Sequence, residues 1–177
     1  MASGRRAALA IVIALVVVVG GAGIYLMSTA SAGTATVSIY VKDLPADWTH
    51  VNVTFSEVKI HAANAGNKSG WHTLELQTQT LDLASLTNMS ELLASGNVSA
   101  GKYTQIRIVV ESVTGTLSNG TVVDFIVPSG ELKTTHPFNV TEGNTQTLTL
   151  DIDLSHSITH DSDGWKFKPV LGSITEG

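Results

Sequence analysis

Apolar and polar residues alternate without a break from Thr34 to Asp43, with Val37, Ile39 and Val41 on one side and Thr36, Ser38, Tyr40 and Lys42 on the other. A period of two sends successive side chains to opposite faces, so this stretch predicts a half-buried strand. Leu44-Pro45-Ala46-Asp47 predicts a turn. Val51, Val53 and Phe55 point inward in the next strand, and the change of parity at Val58 and Ile60 predicts a bulge near Ser56. After a polar loop from Ala62 to Gly70, Trp71 to Leu76 re-enters the sheet. Alternation fails between Leu81 and Gly101, where Asp82-Leu83, Ser85-Leu86 and Ser90-Glu91-Leu92-Leu93 predict a loop with one short helical turn over an open end of the core.

Strand periodicity returns in Lys102 to Val113, with Ile106, Ile108 and Val110 facing in. Asn119-Gly120 predicts a type I′ hairpin joining Gly115–Ser118 to Thr121–Val127, because that turn needs positive φ at both central residues. Phe138 and Val140, then Leu148, Leu150, Ile152 and Leu154, predict two more strands separated by Glu142-Gly143-Asn144. A last hairpin is expected at Asp163-Gly164, leading into Trp165–Ile174. Seven to eight short strands with turn residues between them predict an all-β fold, an antiparallel β-sandwich of immunoglobulin- or transthyretin-like kind over residues 33–177.

Ahead of this body, Arg5 and Arg6 precede an uncharged run from Ala7 to Met27. As a helix it would span about 31 Å, which matches a hydrocarbon core of about 30 Å. Basic residues before such a span hold the N-terminus in the cytoplasm. The same residues also have the parts of a signal peptide, with Ala30-Ser31-Ala32 as a small-residue cleavage site between Ala32 and Gly33. Residues 1–32 are thus expected to be a removed signal or a retained anchor with the membrane as its partner. Either reading sends residues 33–177 outside the cytoplasm, to be tethered or secreted.

Charge narrows the partners. The body carries eight basic against fifteen acidic residues, a formal charge of −7. An acidic surface repels phosphate backbones, which argues against nucleic acid. The chain has no cysteine, which excludes disulfides, thiolate metal sites and cysteine nucleophiles. A body of this length buries enough apolar area to fold without such staples.

Four runs stand in order along the body: Val41-Lys42-Asp43-Leu44-Pro45, Gly101-Lys102-Tyr103-Thr104-Gln105-Ile106-Arg107, Val127-Pro128-Ser129-Gly130-Glu131-Leu132-Lys133, and Leu150-Asp151-Ile152-Asp153 through Lys168-Pro169-Val170. Together they resemble the exported domain of unknown function 4382 found in archaeal and bacterial proteins. The resemblance extends from about Ala35 to Ile174. It implies a β-sandwich behind a signal or anchor segment and supplies no catalytic residues.

Asn-X-Ser/Thr occurs at Asn52, Asn67, Asn88, Asn97, Asn119 and Asn139, which takes six of the eight asparagines. Chance would give about 1.7 of a motif that has meaning only on a translocated surface. Asn52 and Asn139 lie opposite inward Val51/Val53 and Phe138/Val140, Asn119 marks a hairpin tip, and the others fall in expected loops. All six are expected to face solvent, and acceptor density without cysteine suits an archaeal cell surface.

Candidate chemistry is thin. His156, His160, Asp161 and Asp163 are the densest group of possible metal ligands, and Asp161-Ser162-Asp163-Gly164 has a superficial look of calcium binding. The bidentate glutamate and ligand spacing of an EF-hand are missing, and Asp-Gly turns carry such residues for backbone reasons alone. Asp151 and Asp153 could be written as a glycosidase pair, although a solvated strand face explains them more simply. His50, His61, His72 and His136 are scattered singly and expected at the surface. Trp48, Trp71 and Trp165 are expected in the core or at its rim, with a sugar platform as the alternative.

The expectation is therefore a non-enzymatic, cofactor-free surface module with a structural or adhesive role, associating with itself, other surface proteins or glycans. The alternatives are a filament subunit that donates its first strand to a neighbour, or a module binding calcium, another metal or carbohydrate.

Overall fold

The computed structural model describes residues 33–43, 48–65, 69–87 and 89–177. The apolar leader with Ala32, the turn expected at residues 44–47, and the acceptors Asn67 and Asn88 lie outside the described residues. The strands are β1 (Thr34–Asp43), β2 (His50–Ala62), β3 (Trp71–Leu76), β4 (Thr80–Asp82), β5 (Glu91–Ser99) and β6 (Gly101–Thr116). They continue with β7 (Val122–Asp124), β8 (Glu131–Val140), β9 (Thr145–Ile152), β10 (Ile158–Asp161), β11 (Gly164–Phe167) and β12 (Leu171–Glu176). A 3-10 turn at Leu83–Leu86 and one helical turn, α1 (Leu154–Ser157), complete the described elements, and none of the described helices is long and apolar enough to cross a membrane.

Ten strands form one curled, mixed sheet in the order β12-β9-β1-β5-β3-β2-β6-β7, with β4 also on β2 and β8 also on β6, while β10 and β11 make a separate hairpin. β3 turns the corner. Its Trp71–Leu74 portion pairs with β2, and Glu75 and Leu76 pair with Ser95 and Ala94 of β5. Curling wraps both halves around one core. Val37, Ile39 and Val41, then Val51, Val53, Phe55, Val58 and Ile60, and later Leu148, Leu150 and Ile152 are each no more than 1% exposed. These are the inward positions that alternation predicts, and each buried aliphatic contributes about 1.5–3 kcal/mol. The β2–β6 register shifts between Thr54 and Phe55 and again between Phe55 and Glu57, passing over Ser56, where the parity change predicts a bulge.

The sheet is not purely antiparallel. β1 runs parallel to β9, with Thr36 to Asp43 beside Thr145 to Ile152, and antiparallel to β5. Alternation reports which face a residue takes and carries nothing about the direction of the neighbouring strand.

Glu91–Ser99, expected as part of a loop, is a strand between β1 and β3. Ile39 stands opposite Ala94 and Tyr40 opposite Leu92, so the register slips at Leu93. Leu93 and Ala94 are consequently buried in succession. A bulge of this kind erases the period of two that would reveal a strand.

The stretch expected as one strand from Trp165 divides into β11 and β12 on either side of Pro169, which cannot donate to a ladder. At the β6–β7 turn, Leu117 N donates to Thr121 O and Gly120 N to Leu117 O, with Gly120 at φ 84°. That is a three-residue connection with glycine in the left-handed position, in place of the expected two-residue type I′ turn.

Candidate binding surface

The two halves of the sheet present chemically different outer faces. On the first, Thr36, Ser38 and Tyr40 of β1 lie in register with Thr145, Thr147 and Thr149 of β9, and with Asn97, Ser95 and Leu92 of β5. Thr36 Oγ1 donates to Asn97 Oδ1 at 3.0 Å, and the hydroxyls of Ser38 and Ser95 share a hydrogen bond of 3.2 Å. This face is rich in hydroxyls. Among the described residues its charge pair is Lys42 with Asp151, at 3.3 Å. Asp151 is 5% exposed, which corrects the expectation of a solvated carboxylate. The strand carrying it, β9, is flanked by β1 and β12, so Lys42 from one side and Ser173 from the other cover it.

The outer face of the second half is ionic. Lys59 of β2, Arg107 of β6 and Lys133 of β8 stand side by side in register. One row along the strands, Glu57, Val109 and Glu131 do the same. Lys59 lies 2.7 Å from Glu57, Lys133 contacts Glu131, and Arg107 is 3.8 Å from Glu131. The hydrogen bond from Lys133, helped by the charges of Lys133, Arg107 and Lys59, holds Glu131 below the usual carboxylate range. Arg107 also lies 4.5 Å above the Trp71 ring, and His61 meets that ring edge-on at 4.9 Å. Arg107 Nε and His61 Nδ1 are buried and have no hydrogen-bond partner among the described residues. Beside them a hollow of about 550 Å³ is lined by Asn64, Ser69, Trp71 and His72 among others.

Of the acceptors, Asn97, Asn119 and Asn139 are exposed, and Asn52 is half-buried on β2 between Asp82 and Thr114. Asn97 and Asn119 engage only their Oδ1 atoms, with Thr36 Oγ1 and Thr121 N respectively. The amide nitrogen, the atom to which an N-linked sugar would attach, is left out of both bonds.

The four proposed metal ligands do not converge. Lys166 Nζ donates to Asp161 at 2.7 Å and to Asp163 at 3.2 Å, which places an ammonium between the two carboxylates. The bond from Lys166, with that from the Asp163 backbone N–H, holds Asp161 below its ordinary range. His160 packs on Trp165 at 4.4 Å, and His156 is 2.7 Å from Asp153. Asp153 caps α1 by accepting from His156 N and Ser155 Oγ. Among the described residues, no three His, Asp or Glu side chains are grouped to hold a metal ion.

With this geometry in place, a family model for a domain of unknown function, DUF4382, matches residues 34–169. The chain belongs to the DUF4382 family. The match begins with β1 and ends just short of β12. Neither a curated protein nor a solved structure shows significant similarity to the chain.

The histidines expected as isolated surface residues of this DUF4382 domain have specific neighbours. His50 bonds Asp82 at 2.7 Å, His136 bonds Glu176 at 2.9 Å, and His72 packs on Tyr103. Trp48 packs against Phe125 and Trp165 at the rim of the core, as expected of side chains this large. The ionic rows went unrecognised in the sequence. The spacing Glu-X-Lys at Glu57/Lys59 and Glu131/Lys133 puts each pair on one strand face but carries nothing about their alignment across strands.

Proposed function

We propose that this DUF4382 domain is a non-catalytic, N-glycosylated module displayed outside the cytoplasm, a two-layer β-sandwich with a structural or adhesive role. The observation that carries the reading is the position of the acceptors. Asn97, Asn119 and Asn139 stand in solvent on strand faces and a hairpin tip, spread over both halves of the sheet, where added sugars displace nothing from the core. The carboxylates that offered chemistry have structural partners: Asp151 with Lys42, Asp153 with α1, and Asp161 and Asp163 with Lys166.

Cell fractionation and the intact mass of natively extracted protein test this together. The protein is expected outside the cytoplasm, with a mass above 18.6 kDa, or above that of the leader-less chain, by several glycans. An unmodified cytosolic protein overturns the reading.

A filament built by strand donation draws support from the seat of β1. Eight of its residues pair with β5 and eight with β9, so withdrawing it opens a slot that the same strand from a neighbour fits. Negative-stain images of protein processed after Ala32 should then show fibres, and dispersed monomers alone remove this alternative.

A further inference from the structure

The ionic face of β2, β6 and β8 segregates its charges, with Lys59, Arg107 and Lys133 in one cross-strand row and Glu57 and Glu131 in the next. Like charges directly opposite on neighbouring strands are destabilising, and a surface that only faces water intersperses its signs. Pairing along each strand offsets part of that cost, between Lys59 and Glu57 and between Lys133 and Glu131. Arg107 is left with the longest contact, 3.8 Å to Glu131, and an Nε that has no hydrogen-bond partner among the described residues.

We propose that this face is a self-docking surface whose occupant is a second copy of the same chain, the inference resting on the adhesive reading above. The argument is complementarity under two-fold symmetry, in which one patch must match itself. A two-fold axis lying in the contact plane, across the strands and midway between the rows, lays the cation row of one copy over the glutamate row of the other. Lys59 then meets Glu57 of the second copy and Lys133 meets its Glu131, because each lysine and its glutamate lie two residues apart on one strand. Arg107 comes down over Val109 of the second copy, between its two glutamates. Trp71, held by Arg107 on one face and His61 at its edge, stands at the margin as a rigid aromatic contact.

The described acceptors leave this window open. Asn52 lies on the same face before the Ser56 bulge, Asn139 near the far end of β8, Asn119 at a hairpin tip and Asn97 on the other half of the sheet. Counting β3, which carries Trp71 beside β2, and one flanking row on either side of the two charged ones, four strands about 4.8 Å apart and four rows about 7 Å apart present on the order of 500 Å² per copy. That falls at the low end of specific interfaces, so the contact is weak and salt-sensitive alone and gains from the crowding of tethered copies.

Charge reversal tests it with natively extracted full-length protein, by sedimentation equilibrium in density-matched detergent. Lys59→Glu/Lys133→Glu and Glu57→Lys/Glu131→Lys should each weaken self-association about tenfold or more. An equimolar mixture of the two variants should restore it, since an acidic face then meets a basic one. Thermal melts of each variant verify folding, and the rescue excludes a merely misfolded protein. A wild-type protein that stays monomeric at low salt, or association that ignores both variants and their mixture, overturns the proposal. A monomer that is exported and glycosylated sinks this inference alone, whereas an unmodified cytosolic protein sinks the underlying reading.

Discussion

Lys42 and Asp151 face each other in register across the parallel β1–β9 ladder, with Nζ 3.3 Å from Oδ2. The other carboxylate oxygen is buried and has no hydrogen-bond partner among the described residues. Removing only the cation from a buried pair leaves an uncompensated charge, whereas replacing both partners by apolar residues is often close to neutral. Lys42 is about a third exposed, so Lys42→Met is expected to cost about 1–3 kcal/mol, below the loss for a fully buried pair. Adding Asp151→Val should recover most of it. Urea unfolding of the single and double variants measures both, and a Lys42→Met midpoint equal to wild type would show that the pair adds no stability.

Acid sensitivity follows from carboxylates held low by hydrogen bonds. Bonds from Lys133, Ser155 and Lys166 are the leading causes for Glu131, Asp153 and Asp161 respectively. A depressed folded pKa gives stability that is present above the unfolded pKa and lost as pH falls through the folded one. Lys166 is raised by its bonds to Asp161 and Asp163, so its contribution is complete below its unfolded pKa and lost as pH rises through the folded value. Stability should be level near neutrality, falling below about pH 4 and above about pH 10. Lys166→Met should reduce both limbs in a series of urea midpoints against pH, and unchanged limbs would remove the Lys166 cluster as their source.

Gly115 lets two aromatic rings lie against β6. A Cβ at this position would come within 2.6 Å of Phe125 and 2.7 Å of Trp48. Because Trp48 also packs on Trp165, the rings have little room to retreat. Gly115→Ala is expected to destabilise by about 1–3 kcal/mol through overpacking and to alter tryptophan fluorescence. An alanine variant with native stability and emission would mean that the aromatic cluster yields freely.

Glycan occupancy should follow exposure. Asn97, Asn119 and Asn139 are open to solvent, whereas Asn52 lies half-buried on a strand paired on both sides. Glycopeptide mass spectrometry of the native protein is expected to find the first three more fully modified than Asn52. The reverse order would disconnect modification from the folded surface.

Much of the strand content was legible because burial on one face imposes a period of two. β1 occupies the stretch predicted from alternation, and the Ser56 bulge was visible as a parity change. β5 was illegible because its bulge at Leu93 hides the same period. The surface acceptors could be read from a three-residue motif. The ionic rows could not, since Lys59, Arg107 and Lys133 are far apart in the chain and meet only through the pairing of β2, β6 and β8.

Local order alone thus determined which residues turn inward, where most strands begin and where the chain turns, because those depend on neighbours one to four positions away. The parallel seat of β1, the burial of Asp151, the engagement of Asp161 and Asp163 by Lys166, and the sorting of charge on the outer face were decided only in three dimensions. Strand order and register set those relationships, and a period of two carries no information about which strand lies alongside.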